Sequence, residues 1–138
     1  MTRQTERLLS LVLVALLVAC AGGWVKAVDP APSWAFHQRS LIWVVLSVLV
    51  LLGTIALSRV PSDGVTLGAG VLAGGVLGNL ISAGTDHLAV PDPLLVSTHA
   101  GGFAFNLADL SILAGNLLLI VALSHLVIRN RHRLPLRR

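Results

Sequence analysis

At 138 residues, 55% hydrophobic and only 12% charged, with a mean hydropathy of +0.86, the chain is too apolar for a soluble domain and falls among membrane proteins. A formal net charge of +4 and a pI near 11.1 do not make it a nucleic-acid binder, because the basic residues gather at the ends of apolar segments with no aromatic residues between them. The single cysteine, Cys20, excludes an internal disulfide and, lying in an apolar run, says nothing about redox compartment.

The first apolar run, residues 8–25, follows Arg3 and Arg7. A hydrocarbon core of about 30 Å takes about 20 helical residues, and flanking polar residues extend a shorter run. Within it "LVAC", residues 17–20, looks like a lipobox behind a short basic segment. Cleavage there would delete most of a span, so Cys20 is expected to remain an ordinary span residue. Residues 26–40 form a connection holding Lys26, Pro30, Pro32, Trp34 and Arg39, and its prolines exclude one continuous helix. The second run covers residues 41–57, and "SRVPSDG" with Pro61 and Gly64 predicts a tight turn into an antiparallel third run, residues 65–81. Gly70, Gly74 and Gly78 recur there every fourth residue, a stripe that lets a neighbouring backbone approach closely. Asn79 is placed to hold a loop carbonyl or to position a side chain near Asp109. A longer connection, residues 82–102, contains Pro91, Pro93, Gly101 and Gly102, and the fourth run spans 103–128.

The expected fold is an all-α integral membrane protein, one membrane domain over residues 1–138, built as a four-transmembrane-helix bundle. Of its ten Lys and Arg residues, only Lys26 and Arg39 fall outside the two termini and the middle turn. The positive-inside rule then makes both termini cytoplasmic. Asp29, Asp86 and Asp92 fall in the outer connections, so a site built from acids opens outward.

Asp109 is expected about two turns into the fourth span, where a carboxylate costs roughly 2.5 to 3.5 kcal/mol on insertion scales and so faces protein or a wet cavity. Asn106, Asp109, Leu113 and Asn116 share a helix face predicted to point into the bundle. Two accounts of the acid stand. It glues helices together by hydrogen bonds, or it pairs with a second carboxylate. The candidate partner is Asp92 in "VPDPLLV", which otherwise reads as an Asx-type turn. Two carboxylates forced together do not both ionise easily, so one keeps a proton while the other draws one from water, as in aspartic proteases. Asp86, His87 and His99 have spacings that match no metal site and read as a solvated loop, and His125 beside Arg129 reads as interfacial.

The string "GGVLGN", residues 74–79, followed by "FNLAD", residues 105–109, resembles the lipoprotein signal peptidases, or signal peptidase II, whose third and fourth spans carry GG-x-x-GN and FN-x-AD. The resemblance implies a bacterial inner (plasma) membrane, multi-pass aspartic endopeptidase with its active site on the periplasmic or extracellular side. Such an enzyme cleaves the signal peptide of a prolipoprotein before the diacylglyceryl-modified cysteine. It further implies Asp92 and Asp109 as the catalytic pair, with Asn79, Asn106, Gly78, Lys26 and Phe36 binding substrate or supporting the site. The partners implied are lipid-modified prolipoprotein and membrane lipid, without nucleic acid. The reading is of a monomer needing neither metal nor organic cofactor.

The chain departs from the family pattern at several places. Where GN is followed in the family by x-x-D-R, here Leu80, Ile81, Ser82 and Ala83 follow Asn79. Of a first-span D-Q-x-x-K only Lys26 is kept, and "APSWAF" keeps Ala35 and Phe36 without the usual Asn. The first connection is also short for the small β-structure the family lays on the membrane surface. These departures define an alternative of a different class: a catalytically inactive relative that binds signal-helix, lipidated or other membrane-protein partners.

Overall fold

A computed structural model of the chain describes residues 2–98 and 101–131. His99, Arg133, Arg137 and Arg138, used above for the loop and orientation readings, lie outside the described residues. The order of elements is α1 (Arg3–Val28), β1 (Phe36–Gln38), α2 (Leu41–Leu57), α3 (Asp63–Thr85), β2 (Ala89–Pro91), β3 (Leu94–Thr98), β4 (Gly101–Phe105) and α4 (Leu107–Asn130). Helices α1, α3 and α4 are long and apolar enough to cross a membrane, and α2 is a shorter apolar helix of 17 residues.

The helix starts are set by side chains that accept otherwise unpaired backbone N–H groups. Thr2 caps Thr5, Ser40 caps Trp43, Ser62 caps Val65 and Asn106 caps Asp109. This chemistry moves the boundaries away from the apolar runs. Helix α1 is longer than the expected 8–25 at both ends, which brings Lys26 into its last turn rather than into a loop. A cation is favoured there by the helix dipole. Helix α3 runs on to Thr85, past the expected end at 81. The largest shift is in α4: residues 103–106 are not helical, because Asn106 is the cap and Phe103 and Phe105 belong to β4. Asp109 therefore lies in the first turn of its helix, not two turns inside a span.

Helix α3 is the centre of the bundle, buried from Val65 to Ala83 on most sides, with α1 and α4 packed along it. Leu11, Val65, Ala69, Leu72, Val76 and Leu119 form the main apolar cluster. In lipid such contacts rest on close packing rather than on water exclusion, so small residues matter. The stripe of Gly70 and Gly74 meets α1: a Cβ on Gly74 would lie 2.6 Å from Val18 Cβ and 2.7 Å from the Ala15 carbonyl oxygen. A second contact involves α4, where a Cβ on Gly115 would lie 2.4 Å from the Leu72 backbone nitrogen. Gly115→Ala is therefore expected to lower unfolding stability in detergent by about 1 to 3 kcal/mol through overpacking. Gly53→Ala, with nothing within 4 Å of its new Cβ, is the comparison and should be neutral or slightly stabilising. Equal melting of the two variants would disprove the close α3–α4 approach.

Of the face predicted to point inward on α4, only the N-terminal end does so, with Asn106 buried and Asp109 partly buried. Ala108, Gly115 and Leu119 are buried, whereas Leu113 and Asn116 are exposed. Asn116 escapes the cost of an unpaired amide because its Nδ2 donates to the Ile112 carbonyl at 2.9 Å, one turn back.

The connections carry more structure than expected. Strand β1 pairs antiparallel with β2, placing Phe36 opposite Pro91, His37 opposite Val90 and Gln38 opposite Ala89. Strands β3 and β4 form a separate hairpin from Leu94↔Phe105 to Thr98↔Gly101. Short as it is, the first connection thus forms β-structure, using the second connection as its partner. The turn between α3 and β2 holds His87 and Leu88 at φ 52° and 68°, a left-handed conformation that side chains disfavour. Two bonds from the first connection pin it: Gln38 Nε2 donates to the His87 carbonyl at 2.9 Å, and Arg39 N donates to that of Leu88 at 2.8 Å.

Candidate active site

Strand β2 ends at Pro91, and the next residue is drawn inward. The Asp92 backbone N–H donates to the Ala35 carbonyl at 2.9 Å, and the side chain is only 2% exposed. Burial of a carboxylate is costly unless its oxygens are bonded. Both are: Asn106 Nδ2 donates to Asp92 Oδ1, and His37 Nδ1 is in hydrogen-bond contact with Asp92 Oδ2. The His37 ring lies against Asp92 because β1 pairs with β2 at that register, and its side chain is 55% exposed on the other side.

Asp109 is held by a capping box. Asn106 Oδ1 accepts from Asp109 N at 3.0 Å, and Asp109 Oδ2 accepts from Asn106 N at 3.2 Å. Its other oxygen, Oδ1, accepts from Asn79 Nδ2 at 2.8 Å. At this position the carboxylate meets the positive end of the helix dipole, which accounts for an acid in an apolar segment without any chemistry. Asp92 has no such excuse.

Asn106, fully buried, is the bridge between the acids. Its side chain reaches Asp92 while its backbone and side-chain oxygen engage Asp109. Among the described residues no hydrogen bond joins the two carboxylates directly. Behind Asp109, Lys26 Nζ donates to Asn79 Oδ1 at 3.1 Å and to Ser82 Oγ at 2.8 Å, and Ser82 Oγ donates to the Gly78 carbonyl at 3.1 Å. An ammonium only donates, so it turns the Asn79 oxygen toward itself and the Asn79 amide N–H toward Asp109. Positive charge thus reaches Asp109 through one intervening side chain. Among the described residues, no group of three His, Cys, Asp or Glu side chains is placed to hold a metal ion.

The family model for Signal peptidase (SPase) II matches residues 23–125 of this chain. The chain belongs to the signal peptidase II family. The span matched contains both acids and every residue of the network around them. Among solved structures, the chain is similar to a bacterial membrane enzyme determined by the in meso method at 2.3 Å resolution, with a TM-score of 0.63 and 16% identity over 93% of each chain. At that identity the likeness concerns the fold. No curated protein matches the chain significantly.

Of the residues singled out in the sequence of this signal peptidase II homologue, Asp92, Asp109, Asn79, Asn106 and Lys26 meet in one hydrogen-bonded network. Gly78 stands behind it, at the crossing with α1 and α4: a Cβ there would lie 3.6 Å from Ala108 Cβ and 3.7 Å from Ala19 Cα. Phe36 is exposed, and it adjoins the site through its backbone pairing with Pro91. Three participants were missed. Ala35, buried, supplies the carbonyl that holds Asp92; Ser82, where the family pattern has Asp, receives the Lys26 ammonium; and His37 touches Asp92. Ser82 was findable from its position in the GN-x-x-D-R pattern. His37 follows the AF pair, but its partner is 55 residues away.

Proposed function

We propose that this chain is a membrane aspartic endopeptidase that cleaves the signal peptide of prolipoproteins before the diacylglyceryl-modified cysteine, with Asp92 and Asp109 as its catalytic pair. The observation that carries this reading is the burial of Asp92 against the same asparagine that caps the helix of Asp109. A cap alone explains Asp109; it does not bring a second carboxylate to the site.

The hydrogen bonds suggest the division of labour. Both oxygens of Asp109 accept from N–H groups that hold their protons, Asn79 Nδ2 and Asn106 N, so Asp109 suits the role of base. Asp92 faces His37 Nδ1, which accepts or donates according to tautomer, and suits the role of acid. In hydrolysis, water adds to the scissile carbonyl as Asp109 takes its proton and Asp92 gives one to the carbonyl oxygen. When the C–N bond breaks, Asp109 protonates the leaving amine and a hydroxyl of the intermediate returns a proton to Asp92. The pair ends as it began. Low-dielectric surroundings and prearranged donors supply the rate.

The substrate reaches the site laterally, since its signal helix and diacylglyceryl group both lie in lipid. The proposed topology is four spans with both termini cytoplasmic and the acids at the outer surface. It is supported by a cavity of about 510 Å³ at the opposite end, where Arg3, Arg7, Pro61, Asp63, His125 and Arg129 come together. Exposed Trp24 and Trp34 near the dyad end suit a membrane interface. In a Cys20→Ser background, a cysteine introduced at Pro61 should resist an impermeant thiol reagent in intact cells, while one at Ser33 should label. The reverse pattern would overturn the orientation.

The direct test is incubation of the purified protein with a diacylglyceryl-modified prolipoprotein and with its unlipidated form. Only the first should be cut, giving a product whose mass begins at the modified cysteine. The alternative, an inactive relative that binds signal helices or lipidated partners, is favoured by Ser82 and Ala83 where the family pattern has Asp and Arg. It predicts retention of the lipidated prolipoprotein on the protein without cleavage.

A further inference from the structure

We propose that His37 is the positioning residue of Asp92 and stores the proton that Asp92 gives to the substrate. This rests on the peptidase reading above and extends it to a residue outside the motifs that carry the family resemblance. Two observations support it. His37 Nδ1 meets Asp92 Oδ2, so a proton lies between an imidazole and a carboxyl; and the imidazole is half-exposed at the surface while the carboxyl is buried. Of the four carboxylate oxygens in the pair, Asp92 Oδ2 is the one whose partner, among the described residues, is able to hold a proton or release it. The others face Asn79 Nδ2, Asn106 Nδ2 and the Asn106 backbone N–H, amide groups that keep their protons and take up none.

An imidazole nitrogen and a carboxyl oxygen each accept or donate, so the proton between them passes from one to the other along the hydrogen bond. Without the imidazole, Asp92 Oδ2 has to draw its proton from solvent, which supplies fewer as pH rises. With it, a proton held between His37 Nδ1 and Asp92 Oδ2 passes to Asp92 when the substrate carbonyl approaches. No net proton is consumed: the hydroxyl of the intermediate returns one to Asp92 on C–N cleavage. Among the described residues, the other ionisable groups around the pair are Asp109, which shares Asn106 with Asp92, Lys26 behind it, Arg39, two residues along from His37, and Asp86 and His87 in the turn that receives the Gln38 bond. None of them has a hydrogen bond or ion pair to His37.

The test is the pH profile of kcat and KM for parent and His37→Gln, glutamine being able to bond Asp92 without storing a proton. At about pH 8 the variant should lose on the order of tenfold or more in kcat, and near about pH 5.5 little, with KM unchanged throughout. Added imidazole should restore part of the loss in His37→Ala. Equal fractional loss at every pH, or no loss, would overturn the proposal in favour of a purely structural contact. A second measurement needs no activity: in protein carrying nitrogen-labelled histidine, the signal assigned through His37→Gln should titrate differently in parent and in Asp92→Asn. If the parent cuts nothing yet this coupling is present, the peptidase reading fails while the shared proton stands; if the two titrations coincide, the shared proton is refuted whatever the activity.

Discussion

Asp109→Asn is expected to abolish cleavage of a lipidated prolipoprotein, by on the order of a thousandfold or more, while leaving the protein folded. The substituted amide has the same volume. Its oxygen still accepts one of the two N–H groups that now reach Asp109, from Asn79 and from Asn106. The other N–H meets the new amide nitrogen, so about 1 kcal/mol of cap and hydrogen-bond stability is forfeited. What disappears is the group proposed to take the proton of water. Asp92→Asn should be equally inactive, and the double variant little worse than either single one, because the two carboxylates act as a unit. Asp86→Asn is the control: among the described residues its carboxylate accepts a hydrogen bond from its neighbour Thr85 alone, in the exposed turn, and turnover should stay near that of the parent. Thermal unfolding in detergent is measured alongside cleavage. Equal turnover of parent and Asp109→Asn would sink the aspartic mechanism.

Asn106→Ser should separate the two tasks that one side chain performs. Serine caps a helix about as well as asparagine, so the start of α4 should hold, and the stability lost, about 1 to 3 kcal/mol, should come from the buried Asp92 oxygen left without its donor. Its hydroxyl is too short to keep the bond that Asn106 Nδ2 makes to Asp92 Oδ1. Asp92 then loses the contact that aligns it with Asp109, and cleavage should fall on the order of a hundredfold, as expected for misplaced acid and base groups. Asn106→Ala removes the cap as well and should cost a further ~1 kcal/mol or so of stability. Parent-level turnover in Asn106→Ser would show that the bridge is structural only. A collapse of stability in Asn106→Ser as large as in Asn106→Ala would show instead that burial against Asp92, not capping, dominates at this position.

Much of the architecture was legible along the chain because it follows from local periodicity and solvent preference. The second apolar run was read with the same bounds as α2, and the glycine stripe of α3 was recognisable as a surface for close helix contact. The pairing of GGVLGN with FNLAD was enough to single out Asn79, Asn106 and Asp109, since each motif is a short stretch of one helix or its cap. Asp92 was reached as the candidate carboxylate partner of Asp109 in the outer connection, whereas Lys26 followed only through the resemblance to a family.

Other features had no local signature. Phe103, Ala104 and Phe105 are apolar whether they begin a helix or end a strand, and only the pairing of β4 with β3, from Leu94 to Thr98, decides for the strand. That choice makes Asn106 a cap and moves Asp109 into a first turn, where an acid is cheap. Asn116 looked like a member of the inward face until its amide found its own helix carbonyl at Ile112. The Gly115 contact with Leu72, the Ala35 carbonyl on Asp92 and the imidazole of His37 depend on where segments tens of residues apart come to lie. The sequence by itself determined which segments are apolar and which polar residues they carry, because the preference for lipid or water acts residue by residue. Only the tertiary structure decided which carboxylate oxygen meets which donor, since that depends on close packing around α3 and on the register of β1 against β2.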